Sequence, residues 1–140
     1  MKKLSLFLLA ATLLISCDKE ETEQDCAADV VCDASFAMIS IQFVDKDNKG
    51  IEIKDYSAIN QRTKDSVHSA SSATINTTPG TFIVVDDANR SKLSTSGDEI
   101  KVSGTNPLTN QTKSATIKVA GGKCACHVTK ISGADKITFD

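Results

Sequence analysis

The sequence lacks tryptophan and contains one tyrosine and five phenylalanines among 140 residues. Proteins that bind sugars or bases commonly stack them on aromatic side chains, so such a platform is not expected. Lysine and arginine number 16 against 18 acidic residues, without a basic stripe, which argues against nucleic-acid binding. Beyond residue 16, no apolar run approaches the ~20 residues of a membrane-spanning helix.

The first 17 residues have the order of an export signal. Lys2 and Lys3 precede a mostly apolar stretch, 4–15, which has the length of a secretory signal and is too short to span a membrane. The stretch ends at Ser16, and Cys17 follows it directly. Leu-Ile-Ser-Cys at 14–17 resembles the lipobox of bacterial lipoproteins. The resemblance implies removal of residues 1–16 and acylation of Cys17, palmitate included. The alternative is an ordinary signal peptide with an incidental cysteine.

The residues after Cys17 bear on the final location. Asp18 is followed by Lys19, Glu20 and Glu21. A lysine followed by two acids at this position resembles the surface-export signal of Bacteroidota-type lipoproteins. The resemblance implies a lipid-anchored protein on the outer face of the outer membrane. In other bacteria an aspartate in this position directs retention in the inner membrane, and an acidic spacer without an address is the third interpretation.

Residues 17–33 are predicted to be a lipidated, disordered tether. From Asp18 to Asp33 there are seven acidic residues and one lysine, with few large apolar side chains. Such a segment cannot bury enough apolar surface to fold alone, and its like charges favour an extended chain. The sequence is therefore divided into a signal peptide (1–16), the tether (17–33) and a folded domain (34–140).

The domain has the pattern of a β protein. Apolar residues alternate at 37, 39, 41 and 43 and again at 51 and 53, which predicts a hairpin over 36–54. The apolar run 81–85 predicts a central strand buried on both faces. Further strands are predicted around 56–59, 99–102, 115–119, 124–131 and 136–139. No segment predicts an amphipathic helix, so the expected fold is all-β, a single antiparallel sandwich of about seven strands.

Three short features carry a second resemblance. The opening hairpin, Pro-Gly-Thr-Phe at 79–82 and Cys-His-Val at 126–128 resemble the transthyretin-like (carboxypeptidase-regulatory-like), Ig-like modules of bacterial surface lipoproteins. The likeness covers most of residues 32–139. It implies a structural or binding role without catalytic residues. It also implies a disulfide between an early cysteine and that of Cys-His-Val, here Cys32 and Cys126. The further pair, Cys26 and Cys124, departs from the single-bridge pattern.

The four cysteines after Cys17 are predicted to form two disulfides, because an exported protein meets an oxidising compartment. A tetrahedral zinc site and free thiols are the alternatives. If 124–131 is a strand, Cys124 and Cys126 share a face, and a bond between them is strained. His127 then lies on the opposite surface of that strand. Two pairings remain, and Cys32–Cys126 with Cys26–Cys124 is favoured because it joins the starts of two strands.

Other motifs favour ordinary structure over chemistry. The segment 45–50 begins like a calcium loop, but Lys49 and Tyr56 stand where ligands are required. A charged turn is therefore favoured over a weak calcium site at Asp45 and Asp47. The adjacent acids at 86–87 could form an acid–base couple, but a turn after a strand is favoured.

His68 lies in a serine-rich segment, and this combination raises the hypothesis of a Ser-His-Asp triad. The candidate partners are Asp65 and the serines at 66, 69, 71 and 72. No Gly-x-Ser-x-Gly motif frames a nucleophile, so an exposed polar loop is favoured. The segment 65–67 also resembles the acceptor pattern for O-glycosylation at Ser66 in exported Bacteroidota-type proteins.

Three functions follow from these features. The leading hypothesis is a lipoprotein whose non-catalytic domain, without a cofactor, contacts another envelope protein or an extracellular ligand. The second is a metal-binding or redox lipoprotein that uses Cys26, Cys32, Cys124 and Cys126. The third, a hydrolase, has the least support because no catalytic constellation is evident.

Overall fold

The computed structural model describes residue 26 and residues 31–67 and 78–140. Within these ranges, seven strands and one short 3-10 helix, η1, follow one another. Their bounds are β1 Met38–Val44, β2 Lys54–Asn60, β3 Thr81–Asp86, η1 Asp87–Lys92, β4 Asp98–Thr105, β5 Thr112–Ala120, β6 Thr129–Gly133 and β7 Lys136–Thr138. In the described part of the chain, no helix is long and apolar enough to cross a membrane.

The strands form two sheets that pack face to face. One sheet has the order β3-β1-β7 and the other β2-β4-β5-β6. All neighbouring strands are antiparallel except β1 and β7, which are parallel. Buried residues from both sheets, among them Ile41, Val85, Ile100 and Ile117, form one continuous core. The predicted all-β sandwich of about seven strands is confirmed.

Four aromatic side chains occupy one part of this core. The rings of Phe43 and Phe82 meet edge to face at 5.5 Å, and Tyr56 stacks on Phe82 at 4.6 Å. Phe139 lies 6.3 Å from Phe43 between ring centroids. The Tyr56 hydroxyl donates a 2.9 Å hydrogen bond to the carbonyl of Ile83, and burial raises its pKa. Aromatic contacts of this geometry add to the free energy gained by burial alone.

The predicted hairpin over 36–54 is present only at its turn. β3 pairs with one edge of β1 as far as Gln42 and β7 pairs with the other edge, so the returning chain reaches only the end of β1, where the Ile51 amide donates to the Phe43 carbonyl at 3.1 Å. That segment is not a strand; one bridge joins Val44 to Gly50, and the chain crosses to the other sheet before β2. The turn at Gly80 lies so close that a Cβ there would be 2.3 Å from the Phe43 carbonyl oxygen. Gly80 also has φ +73°, a conformation that favours glycine.

The strand predicted at 81–85 is present, but its predicted central position is wrong. β3 stands at the end of the order of the described three-stranded sheet, although all six of its residues are buried. An apolar run indicates that both faces of a strand are buried, but it does not predict whether the strand has a neighbour on each edge. The polar connection after β3 contains η1, which is too short to produce a helical period in the sequence.

The strand predicted over 124–131 begins only at Thr129. Residues 121–128 form a loop that packs against η1, where the Gly122 amide donates to the carbonyl of Arg90. The Arg90 guanidinium donates back to the carbonyl of Ala125 at 2.9 Å. Cys124 and Cys126 therefore do not share a strand face, and His127 is not on a strand surface. Those two expectations are wrong because the backbone of the loop pairs with η1 and not with β5.

Two disulfides fasten the segment before β1 to this loop. Cys26 is bonded to Cys124 and Cys32 to Cys126, each with Cα atoms 5.2 Å apart. This is the pairing favoured from the sequence. The last part of the predicted tether is thus covalently joined to the sandwich. We call the end formed by 31–37, 61–65, 87–97 and 121–128 the cysteine end, and the end formed by 45–53, 78–80 and 106–111 the opposite end.

A buried polar network closes the cysteine end. The Asp98 carboxylate accepts hydrogen bonds from Asn60 at 2.7 Å, from the Arg62 guanidinium at 2.7 and 2.8 Å, and from the Ser94 amide at 3.1 Å. Arg62 is the main reason that the pKa of Asp98 falls to about 2. The network holds the turn after β2 against the connection before β4.

The two disulfides should stabilise the fold in a non-additive way. They span 98 and 94 residues, so removing one leaves the other closing almost the same loop. In the chain-entropy model, the first removal frees a ring of about ten residues and costs roughly 3 kcal/mol, whereas the second frees a ~100-residue loop and costs about 4.7 kcal/mol. Cys26→Ala/Cys124→Ala and Cys32→Ala/Cys126→Ala should each lose the smaller amount.

The variant without all four cysteines should therefore lose more stability than the two paired variants together. Guanidinium unfolding followed by circular dichroism, without reductant, measures these differences. Strictly additive losses would contradict the shared-loop explanation.

Candidate functional site at the cysteine end

Asp87 is the centre of a cluster that joins three separate parts of the chain. β3 ends at Asp86, whose carboxylate caps η1 by accepting from the Ala88 amide at 3.0 Å. Asp87 turns the other way and accepts from the amide of Ala37 at 2.7 Å and of Val128 at 2.8 Å. Its side chain is 7% exposed. The two acids therefore have different partners and do not form an acid–base couple.

His127 connects Asp87 to the segment before β1. Its Nδ1 lies 2.7 Å from Asp87 Oδ2, and its Nε2 lies 3.1 Å from Asp33 Oδ1 and 3.3 Å from the Ser35 hydroxyl oxygen. Asp33 follows Cys32, and His127 follows Cys126, so the disulfide stands directly beside this contact. We call Asp33, Asp87 and His127 the histidine clamp.

The charges of the clamp favour one another. The hydrogen bond with Asp87 raises the pKa of His127, and Asp33 raises it further. Hydrogen bonds from the Ser35 hydroxyl and amide lower the pKa of Asp33. Burial raises the pKa of Asp87, but hydrogen bonds from two backbone amides and His127 outweigh burial and lower it. The arrangement therefore favours an imidazolium between two carboxylates.

Ser35, His127 and Asp87 have the order of a Ser-His-Asp triad, with a buried carboxylate at Nδ1 and a hydroxyl near Nε2. A triad requires a neutral histidine that can take the serine proton. Here Asp33 lies at Nε2 and also accepts a short hydrogen bond from the Ser35 hydroxyl. An imidazolium that donates to two carboxylates has no lone pair for a proton. The cluster is therefore suited to fasten the chain and not to activate a nucleophile.

A second feature lies at the opposite end. An open groove of about 520 Å³ is lined by residues 50–54 and 78–80 together with Phe82 and Pro107. The crossover segment supplies partly buried Ile51 and Ile53 and the exposed side chain of Glu52. A concave surface of mixed apolar and charged character is suited to contact a ligand or another protein.

The structure also bears on the weaker motifs. Asp45 accepts from the amides of Asp47 at 3.0 Å and Lys49 at 2.9 Å, as a charged turn requires. Asp65 and Ser66 are exposed, and Ser66 forms a bridge with Ile59. Across residues 26, 31–67 and 78–140, no group of three His, Cys, Asp or Glu side chains is suited to hold a metal ion.

Several predicted residues lie outside the described residues. These are Cys17, the export signal at 18–21, His68 and the serines at 69, 71 and 72. The clamp was missed from the sequence, although part of its signal was present. Asp33 and His127 each follow a cysteine of one predicted disulfide, and that pairing makes them neighbours. Asp87 could not be assigned to the clamp from the sequence, because its position depends on η1.

The clamp predicts a stability that depends on pH. The pKa of His127 is raised in the folded protein, so its contribution is complete below the ordinary value of 6.5 and is lost as pH rises through the higher folded value. The carboxylates titrate below 3.8 and do not contribute in this range. Urea unfolding at several pH values from mildly acidic to mildly alkaline should show the loss.

His127→Gln is the matched control, because it retains His68 and every carboxylate. The difference in unfolding free energy between wild type and this variant should shrink as pH rises. A difference that is constant with pH would show that the imidazolium contributes nothing. NMR titration of His127 measures its pKa independently.

Comparisons with protein-family models, curated proteins and solved structures found no match to this chain. The resemblances to lipoproteins and to transthyretin-like modules therefore stay predictions.

Proposed function

We propose that this protein is an outer-membrane lipoprotein, displayed on the cell surface, whose sandwich domain has a non-catalytic binding or structural role. Cys17 carries the lipid anchor, and residues 18–21 direct export. The partner is another envelope protein or an extracellular ligand. The domain needs no cofactor for this role, and nucleic acid is not a partner.

The observation that carries the proposal is where the tether is fastened. Two disulfides and the histidine clamp hold the segment before β1 at the cysteine end. The groove lies at the opposite end, so the length of the strands separates it from the cysteine end. β4 alone, with eight residues, spans about 25 Å. A domain fastened at one end and open at the other is suited to present a surface away from a membrane.

The state of the cysteines supports this role over the metal-binding alternative. All four sulfurs are in disulfides, and a disulfide sulfur is not a thiolate ligand for zinc. Disulfides also agree with an exported protein, because they persist in oxidising compartments. The contacts of His127 favour a non-catalytic role over a hydrolase, since Asp33 lies nearer to Nε2 than the Ser35 hydroxyl does.

The groove is the best candidate for partner contact. Glu52 projects from the crossover segment, while Lys54 is held by a 2.7 Å hydrogen bond to Asn110. Side chains of both signs, beside partly buried isoleucines, favour a protein surface as the ligand. The outer face of β5 exposes the small polar residues Thr112, Ser114 and Thr116 instead.

Anchoring is tested at Cys17. Cys17→Ala removes the thiol that would be acylated, so we expect an uncleaved precursor that no longer partitions into detergent. Mass spectrometry of the N-terminus and phase separation in a non-ionic detergent measure the two effects. Normal cleavage and partitioning of the variant would contradict the lipid anchor.

Replacement of Lys19, Glu20 and Glu21 by alanine is the control for location, since it keeps the anchor and changes only the export signal. Protease added to intact cells should degrade the wild type and spare this variant. Equal protection of both would indicate a periplasmic location instead.

Partner contact is tested by a photoreactive amino acid at Glu52 in intact cells. We expect a discrete light-dependent adduct, because Glu52 borders the groove. The matched position is Thr116 on the outer face of β5, which is also exposed and should give none. The same adduct from both positions, or none from either, would contradict a binding role for the groove.

A further inference from the structure

Exposed apolar side chains gather at the cysteine end. Five large apolar residues of the described chain are exposed, and three of them, Val31, Phe36 and Met38, lie within eight residues of one another. Their exposed fractions are 91%, 58% and 47%. A cluster of this kind calls for an explanation that a single exposed side chain does not.

The backbone turns two of these side chains to the same side. Ala37 packs against the core, and its amide and carbonyl are both hydrogen-bonded to Asp87. Phe36 and Met38 flank Ala37, so the alternation of an extended chain directs both away from the core. Phe36 is also the one aromatic residue after the signal that is outside the aromatic part of the core.

We propose that Val31, Phe36 and Met38 form a membrane-contacting surface that rests in the headgroup region of the bilayer holding the anchor. This inference rests on the proposed acylation of Cys17. Only eight residues lie between Cys17 and Cys26, and Cys26 is bonded to Cys124 at the cysteine end. The nine residue steps from Cys17 to Cys26 reach at most about 30 Å. The disulfide therefore keeps these apolar residues close to the lipid.

The chemistry of the surface suits this occupant. Apolar side chains of a peripheral protein insert at the boundary between headgroups and acyl chains, and their contribution adds to that of a lipid anchor. Asp33 and Asp87, two acids at the same end, both contact His127, and its imidazolium offsets one of their two negative charges. Lys92 on η1 is exposed at the same end and can meet lipid phosphate.

The chain has no tryptophan, so one introduced tryptophan reports on one position. Phe36→Trp and Leu108→Trp are prepared as full-length, acylated protein in phosphatidylcholine vesicles. Leu108 is the matched control, because it is 91% exposed in the turn at the opposite end. With phosphatidylcholine brominated on its acyl chains, Phe36→Trp should lose most of its fluorescence and Leu108→Trp should keep it.

Met38→Trp provides a second reporter should Phe36→Trp not fold, and circular dichroism checks each variant. Adding Cys26→Ala and Cys124→Ala to Phe36→Trp lengthens the free tether from the eight residues between Cys17 and Cys26 to the fourteen between Cys17 and Cys32. Quenching should then weaken, because the surface is held less closely.

Absence of quenching at position 36 in protein that floats with the vesicles would overturn the membrane contact. Equal quenching at 36 and 108 would overturn the orientation. Flotation and the mass of the N-terminus test the anchor separately. If the protein neither floats nor carries acyl chains, the proposed function fails, and the contact that rests on it fails too.

Discussion

The bond between Cys32 and Cys126 determines how the cysteine end is built. It brings the segment before β1 against the loop before β6, which the sequence separates by 94 residues. Asp33 and His127 become neighbours because each follows one of these cysteines. Asp87 then accepts from the amides of Ala37 and Val128, one from each side of the bridge. Without this bond and its neighbour Cys26–Cys124, an ordered contact between these segments would have to offset the entropy of closing that loop.

The clamp and the disulfides secure the same segment by different physical means. A disulfide acts mainly on the unfolded chain, by limiting its conformations, and is insensitive to moderate changes of pH. The clamp acts on the folded chain, because a cation between two carboxylates is favoured only while His127 keeps its proton. The direction in which the chain leaves the sandwich therefore depends on the clamp, while its attachment depends on the disulfides. Deprotonation of His127 can loosen the segment without releasing it.

The sequence predicted most of the strands, because a half-buried strand alternates apolar and polar residues whatever its neighbours are. It predicted β1 from Ile39, Ile41 and Phe43, and β5 from Ile117 and Val119, all of which face the core. It could not predict strand partners. Alternation at 51 and 53 predicted the return strand of a hairpin, yet the returning chain pairs only with the end of β1, because β3 occupies the rest of that edge. Ile51 and Ile53 instead pack against the core as part of a crossover.

The site was less predictable than the fold, because it depends on which distant segments contact one another. The favoured disulfide pairing, one of three possible for four cysteines, is present, although the argument for it placed Cys124 and Cys126 on a strand that begins only at Thr129. The strand predicted over 124–131 was wrong in its first half. The residues around Cys126 form a loop that packs against η1 and holds the disulfides, and they do not pair with a strand. With Asp86, Asp87 was predicted to form an acidic turn after a strand. Its role arises from the 3-10 helix that starts there, and a helix of six residues leaves no period in a sequence.

Fastening at one end constrains what a tethered domain can do. A sandwich joined to its anchor through β1 alone could rotate about a single flexible connection. Here the anchor-side segment is bonded at two points of the loop 121–128, so that motion between the last tethered residues and the sandwich is restricted. A force between the proposed lipid anchor and a partner at the groove would enter the sandwich through Cys26 and Cys124, in the loop that connects β5 and β6. The position of the disulfides thus favours a domain that keeps its orientation when its partner is pulled.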